Sequence, residues 1–195
     1  MTDKVELRRQ IRDQRRQLAP AWIRQTSDRI QQRLLALAEW NAARQVCCYL
    51  ATAMEVQTGR ILDAGWQAHK RIWAPAFHPA HASYECALLK RDTALKAGPH
   101  QIPEPEKPDW SNPENLDLVV IPGLAFDPQG NRIGHGKGHY DNFLARAAMR
   151  TALKIGLAFA FQMRARVAVT AHDVGLDIVV TEDSVLHCRG KQPDH

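Results

Sequence analysis

The chain has 195 residues, 45 % of them apolar, and 26 Lys and Arg stand against 21 Asp and Glu for a net charge of +5. That length and apolar share are enough for one core and cramped for two, so residues 1–195 are read as one domain, and no run of about 18 apolar residues offers a membrane span. The small positive excess favours anionic partners, among them nucleotides, polyglutamylated cofactors and nucleic acid, while 7 % aromatic content and the lack of a known RNA- or DNA-binding motif count against a nucleic-acid module.

The opening, MTDKVELRRQIRDQRRQL, is charged throughout and holds no apolar block of signal-peptide type, so a cytoplasmic protein is expected. Cys47, Cys48, Cys86 and Cys188 lack Cys-x-x-Cys spacing and are read as reduced thiols.

Residues 1–40 read as helical. Leu7, Ile11 and Leu18 fall on one narrow face of the first helix, with Lys4, Arg8, Arg12 and Arg15 as a cationic stripe beside it. Pro20 opens a second helix whose Ile23, Ile30, Leu34, Leu35 and Leu37 keep helical spacing up to Trp40. The period then changes. Gln45 to Ala51 reads as a buried strand, Thr58 to Lys70 as a helix with Thr58 as its N-cap, and Arg71 to Phe77 as a second strand. Such a unit implies parallel strands.

Residues 78 to 116 form a Pro-punctuated wrapping segment with one strand-like run at Ser83 to Leu89. Leu116 to Pro122 is a near-continuous apolar strand of the kind buried on both faces of a parallel sheet. A helix from about Gly138 to Met149 and strands at Leu153 to Phe159 and Leu176 to Thr181 follow, and 189–195 read as a disordered tail. The alternation predicts a three-layer α/β fold, a mostly parallel sheet with helices on both faces, and a site at the carboxyl ends of strands.

The chemistry concentrates in the Gly-rich loop 123–141. It leaves a buried strand and enters a helix, where free backbone N–H groups and a positive helix end can meet phosphate. Gly134, Gly136 and Gly138 permit close approach of a ligand, and Lys137 between them offers charge. The spacing is neither Walker A nor Gly-x-Gly-x-x-Gly. Asp127 and Arg132 are expected to form an ion pair within the loop, Trp110 and Phe126 to serve as core or pocket wall, and His172 beside Asp173 is too small a pair to argue for a transition metal.

The string Pro122-Gly-Leu-Ala-Phe-Asp127, with Gly130-x-Arg132-x-Gly134-x-Gly136-x-Gly138-x-Tyr140-Asp141, closely resembles the signature of the 5-formyltetrahydrofolate cyclo-ligases. Lys4-x-x-Leu7-Arg8, Leu50 with Glu55, Ile102-Pro-Glu-Pro105 and Asp173 extend the likeness along the chain. Two positions depart from the family pattern: His139 precedes Tyr140 where many relatives carry Tyr, and His135 stands where Arg is common.

The resemblance implies ATP-dependent closure of 5-formyltetrahydrofolate to 5,10-methenyltetrahydrofolate, and a fold related to the ribose-5-phosphate isomerase and CoA-transferase class. It implies ATP contacts from Lys4, Arg8, Arg132, Gly134, Gly136, Lys137, Gly138, His139, Tyr140 and Asp141. Leu50, Glu55, His135, Gly136, Lys137, Gly138 and His139 would line the folate pocket, Asp141 and Asp173 would hold Mg²⁺, and Arg132, Lys137 and Tyr140 would act in catalysis. A monomer is expected, with reduced folate and ATP as its partners and neither nucleic acid nor membrane. The rival readings are a nucleic-acid-binding module, a sugar-phosphate isomerase of similar fold and a folate-binding protein without turnover.

Overall fold

The computed structural model describes residues 4–98, 102–111, 113–136, 138–170 and 173–188, with the backbone alone at His139. Lys137, His172 and the expected tail at 189–195 lie outside the described residues.

Three helices come first: α1 (Lys4–Arg16), α2 (Pro20–Leu35) and α3 (Ala38–Ala42). The expected run to Trp40 therefore breaks, and Leu37 is extended at φ −68°, ψ 141°. The break lets Trp40 turn inward beside Gly65, where a Cβ would crowd Ile72 at 2.5 Å.

After β1 (Gln45–Cys48), α4 (Gly59–Gln67) crosses over to β2 (Arg71–His78), and the two strands pair in parallel as expected. Thr58 does not cap α4. Its hydroxyl donates to the Tyr49 carbonyl at 3.0 Å, and the Arg60 N–H is taken by Gln31 Oε1 from α2 at 2.9 Å. A cap borrowed from another helix satisfies the orphan donor equally well.

A 3₁₀ turn (Pro79–His81) leads to β3 (Ser83–Leu88), antiparallel to β2. Within the wrapping segment, β4 (Leu95–Ala97) and β5 (Pro103–Pro105) pair antiparallel, apart from the main sheet. Proline is tolerated there because such an edge need not donate every ladder bond.

Next come β6 (Leu118–Ile121), the small hairpin of β7 (Ala125–Phe126) and β8 (Arg132–Ile133), and α5 (His139–Leu144). A 3₁₀ turn at Ala147–Met149 replaces the end of the longer helix expected there. The chain closes with β9 (Leu153–Leu157), β10 (Ile178–Val180) and β11 (Val185–His187), the last an antiparallel edge strand not expected from the sequence.

The seven-stranded sheet has the order β11-β10-β9-β6-β1-β2-β3, parallel from β10 to β2 with an antiparallel strand at each edge. Its faces follow the period of two. Val46, Cys48, Leu118, Val120, Ile155 and Val180 pack with Ile30, Leu34 and Ile61 from α2 and α4. Cys47, Val119, Ile121 and Val179 face the other way onto Phe126, Phe143 and Leu144. The three-layer expectation is met, although the second face is covered by short α5 and by Phe126 more than by long helices. All four cysteines are free thiols. Among the described residues no helix is long and apolar enough to cross a membrane.

Strand order reverses between β1 and β6, because the chain builds outward from β1 to β3 and returns to β6 on the other flank. Ligands of open α/β sheets settle at the carboxyl ends of such a pair. Glu55 lies beyond β1 and the Gly-rich loop beyond β6.

Candidate active site

Leu7 and Ile11 of α1 pack on Leu124, Ala125, Ile133 and Val167, which clamps the helix to the β7–β8 hairpin. The burial stripe continues to Arg15 rather than to Leu18. With the apolar edge so placed, the cations one turn apart meet the loop. Lys4 Nζ donates to Asp173 Oδ2 at 3.2 Å, Arg8 Nε to the Gly134 carbonyl at 3.0 Å, and Arg12 to the His135 carbonyl at 3.1 Å. The guanidinium of Arg15 goes inside, where it donates to the Gly123 carbonyl at 2.6 Å.

Gly136 and Gly138 have φ of 101° and 67°, the left-handed region that favours glycine. At Gly136 the lack of a Cβ also lets Arg8 lie close, since a Cβ built there would sit 3.3 Å from the Arg8 guanidinium carbon. The helix and the glycine turn therefore fit face to face.

Arg132 is buried and donates to Asp141 Oδ1 at 2.7 Å, with its guanidinium carbon 5.8 Å from the centroid of the Tyr140 ring. This replaces the expected Asp127–Arg132 pair. Asp127 instead accepts from the backbone N–H groups of Gln129, Asn131 and Val167 and from the Asn131 amide, all between 2.9 and 3.0 Å. A fully buried carboxylate with four donors organises the turn, while the arginine is left to face Asp141. Burial lowers the pKa of Arg132, opposed by Asp141, and burial pushes the Tyr140 phenol well above its ordinary value. At neutral pH Tyr140 is thus a hydrogen-bond donor or a wall and not a base.

Glu55 is buried, and its Oε2 accepts from the Thr52 N–H and hydroxyl, each at 2.9 Å. His135 Nε2 lies 3.9 Å from Oε1. Burial alone would raise the Glu55 pKa, yet His135, Thr52 and Arg15 together hold it below the ordinary value. Leu50, also buried, is the apolar neighbour of this anion in the chain. The result is a fixed carboxylate beside a cationic loop at the carboxyl end of β1.

A family model, the 5-formyltetrahydrofolate cyclo-ligase family, matches residues 1–182. The chain belongs to that family. It is 31 % identical over 209 residues to the 5-formyltetrahydrofolate cyclo-ligase of Saccharomyces cerevisiae, covering 96 % of this chain and 99 % of the relative. A cyclo-ligase of Haemophilus influenzae is 31 % identical over 180 residues, with 90 % and 96 % covered. Among solved structures, 5,10-methenyltetrahydrofolate synthetase of Aquifex aeolicus superposes with a TM-score of 0.83 at 30 % identity, covering 98 % of this chain and 96 % of that one.

The structure brings Lys4, Arg8, Arg132, Gly134, Asp141 and Asp173 together, and Glu55 with His135. Of the residues expected here, Lys137 and the His139 side chain lie outside the described residues. Sequence reading missed Gln162. Its amide donates to the Gly123 and Leu124 carbonyls at 2.9 Å each while its Oε1 accepts from the Phe159 N–H at 2.9 Å, so it holds the start of the Gly-rich loop. Nothing in the sequence around Phe161-Gln162-Met163 distinguishes this glutamine from a surface one.

The donor set suits Mg²⁺. Val174 N–H lies 3.5 Å from Asp141 Oδ1, which sets Asp173 in the chain next to that carboxylate. Both aspartates offer hard oxygens, as magnesium requires. Arg132 takes Asp141 Oδ1, and Lys4 and the Thr170 N–H take Asp173 Oδ2.

Proposed function

We propose that the chain closes 5-formyltetrahydrofolate to 5,10-methenyltetrahydrofolate at the expense of ATP, and that the triphosphate lies between α1 and the loop from Gly134 to Asp141. The observation that carries this reading is that one helix brings Arg8 to the loop that holds Arg132 and Asp141 and Lys4 to Asp173.

A formamide oxygen is a poor leaving group, so attack by nitrogen 10 on the formyl carbon would stall at loss of hydroxide. Transfer of the γ-phosphoryl group to that oxygen, with ADP leaving, removes the obstacle. Nitrogen 10 then attacks the activated carbon, gives up its proton, and inorganic phosphate departs. Phosphoryl transfer asks the protein for in-line placement and spread positive charge far more than for covalent help.

Lys4 and Arg8 supply that charge from the helix, and buried Arg132 supplies it from below. Asp141 and Asp173 would hold Mg²⁺, which would supply further charge neutralisation at the phosphates. Glu55, ionised and fixed by Thr52, accepts hydrogen bonds from the donor edge of the pterin, with Leu50 as its apolar wall. His135, Gly136 and Gly138 border the folate side, and Tyr140 packs or donates without giving up its proton. Lys137 and His139 are assigned to ATP and folate by the family resemblance of their positions in the sequence. Four unpaired thiols agree with a reducing, cytoplasmic setting.

The test mixes the protein with 5-formyltetrahydrofolate, ATP and Mg²⁺ and follows the near-ultraviolet absorbance of the methenyl product. Growth of that band only when ATP and Mg²⁺ are both present is expected. A folate that binds and never cyclises would reduce the protein to a binder and sink the reading.

A further inference from the structure

Away from α1, the tip of the β2–β3 hairpin gathers three ligands that the reaction above does not use. His78 ends β2, His81 lies in the 3₁₀ turn, and Glu85 lies in β3. In the antiparallel register His78 faces Ser83 and Ala76 faces Glu85. Opposed residues project to the same side, and positions two apart share a face, so His78, Ser83 and Glu85 share one face of the hairpin. The turn then folds His81 back over them. Ala82 closes it in the left-handed region at φ 48°, ψ 36°, a conformation that alanine rarely adopts and that functional turns retain.

The imidazoles of His78 and His81 stack with centroids 4.1 Å apart, and Trp110 covers His78 at 4.6 Å. His78 Nδ1 is buried without a hydrogen-bond partner. His81 Nδ1 lies 2.5 Å from Glu85 Oε1. One ligand atom from each of the three residues lies within 4.8 Å of the other two. Donors about 2.0–2.2 Å from a common tetrahedral ion sit about 3.3–3.6 Å apart, so the set closes when the two stacked rings tilt to aim their nitrogens at one point. A positive charge already occupies this place: Arg146, just beyond α5, donates to Glu85 Oε1 at 3.1 Å and to Ser83 Oγ at 3.0 Å.

We propose that His78, His81 and Glu85 form a binding site for a divalent first-row transition cation such as Zn²⁺, with water completing the shell, and that Arg146 competes with the ion for Glu85. Two imidazoles and one carboxylate select such an ion over magnesium, whose preferred ligands are oxygens alone. Arg146 is partly exposed and can swing into water when the ion arrives. The site shares no residue with those assigned above to ATP, folate or Mg²⁺.

The test strips the full chain with a chelator and titrates Zn²⁺ in saturating Mg²⁺, which occupies any oxygen-only site. Calorimetry should give one tight equivalent, weakened at least ten-fold by His81→Ala and by Glu85→Gln, and tightened several-fold by Arg146→Gln. Co²⁺ in place of Zn²⁺ should give visible absorption bands that His81→Ala removes. His81 is largely exposed, so this variant should melt like wild type without metal and separates ligand loss from unfolding. Absence of a tight equivalent in wild type, or Zn²⁺ affinity unchanged by His81→Ala, overturns the site. Arg146→Gln binding no tighter than wild type overturns the competition.

Discussion

Arg8 Nε donates to the Gly134 carbonyl at 3.0 Å across 126 positions of chain. The contact joins the first helix to the turn after β6, two segments with no regular secondary-structure pairing between them. An arginine spent on a single carbonyl keeps most of its guanidinium donors for another acceptor, and the nearest loop atoms are glycines that leave room for one.

The glycine at 136 is therefore the first place to press. Alanine there must hold φ near 101°, which costs about 1–3 kcal/mol, and its Cβ meets the Arg8 guanidinium at 3.3 Å. Gly136→Ala should raise the KM for ATP by roughly ten-fold, about 1.4 kcal/mol of lost binding. Lys4→Ala and Arg8→Ala should do the same in steady-state kinetics. If all three bind ATP like wild type, the triphosphate lies elsewhere.

Arg132 is buried and pairs with the partly exposed Asp141. Water can reach the carboxylate left behind, so Arg132→Met should lose about 1–3 kcal/mol of stability by urea denaturation. Its cyclisation rate should fall by about 10²–10³-fold, as expected when a cation aimed at developing charge is deleted. Asp141→Asn keeps an acceptor for Arg132 and should keep the fold, yet lose ATP-dependent turnover. Near-normal turnover of Asp141→Asn at saturating Mg²⁺ would remove the aspartate from the metal site.

The parallel core is legible in advance because β6 and β10 are buried throughout as unbroken apolar runs, while β1 and β9 are buried from Val46 and from Ile155 onward. The Gly-rich loop was equally visible, and its family resemblance is borne out by the match over residues 1–182. What escaped were features set by tertiary contacts. β7, β8 and β11 are two or three residues long, too short for a period to register. The Asp127 partner differs because nearness in sequence suggests Arg132, whereas three donors of the folded turn and the Val167 N–H fill that carboxylate. Arg15 belonged to a stripe whose other members stay at the surface, and only the packing of α1 shows that its guanidinium turns inward.

Gln162 offers a test of how the loop is supported from behind. Gln162→Leu fills the same space but leaves the Phe159 N–H without its acceptor and the Leu124 carbonyl without this donor, while Arg15 still serves Gly123. Unsatisfied buried groups cost about 1–3 kcal/mol each, so a melting temperature lower by several degrees is expected. Because the loop start is displaced rather than any ligand removed, kcat should fall more than substrate affinity. A variant as stable and as active as wild type would show that Arg15 alone suffices.

Glu55 should leave its mark on the acid limb of stability. Burial works to raise its pKa, but His135, the Thr52 donors and Arg15 outweigh it and hold the folded value below the ordinary 4.5. A depressed folded pKa means that the unfolded chain takes up the proton first. The contribution of Glu55 is therefore fully present above about pH 4.5 and is lost as pH falls through the folded value. Glu55→Gln has no proton to bind, so its stability should depend less steeply on pH in that window, by at most one proton or about 1.4 kcal/mol per pH unit. Urea midpoints measured from about pH 3 to about pH 7, across the carboxylate range, check this. Parallel acid limbs for wild type and Glu55→Gln would mean that the carboxylate is not ionised against its neighbours, and the pterin would lose its proposed anionic acceptor.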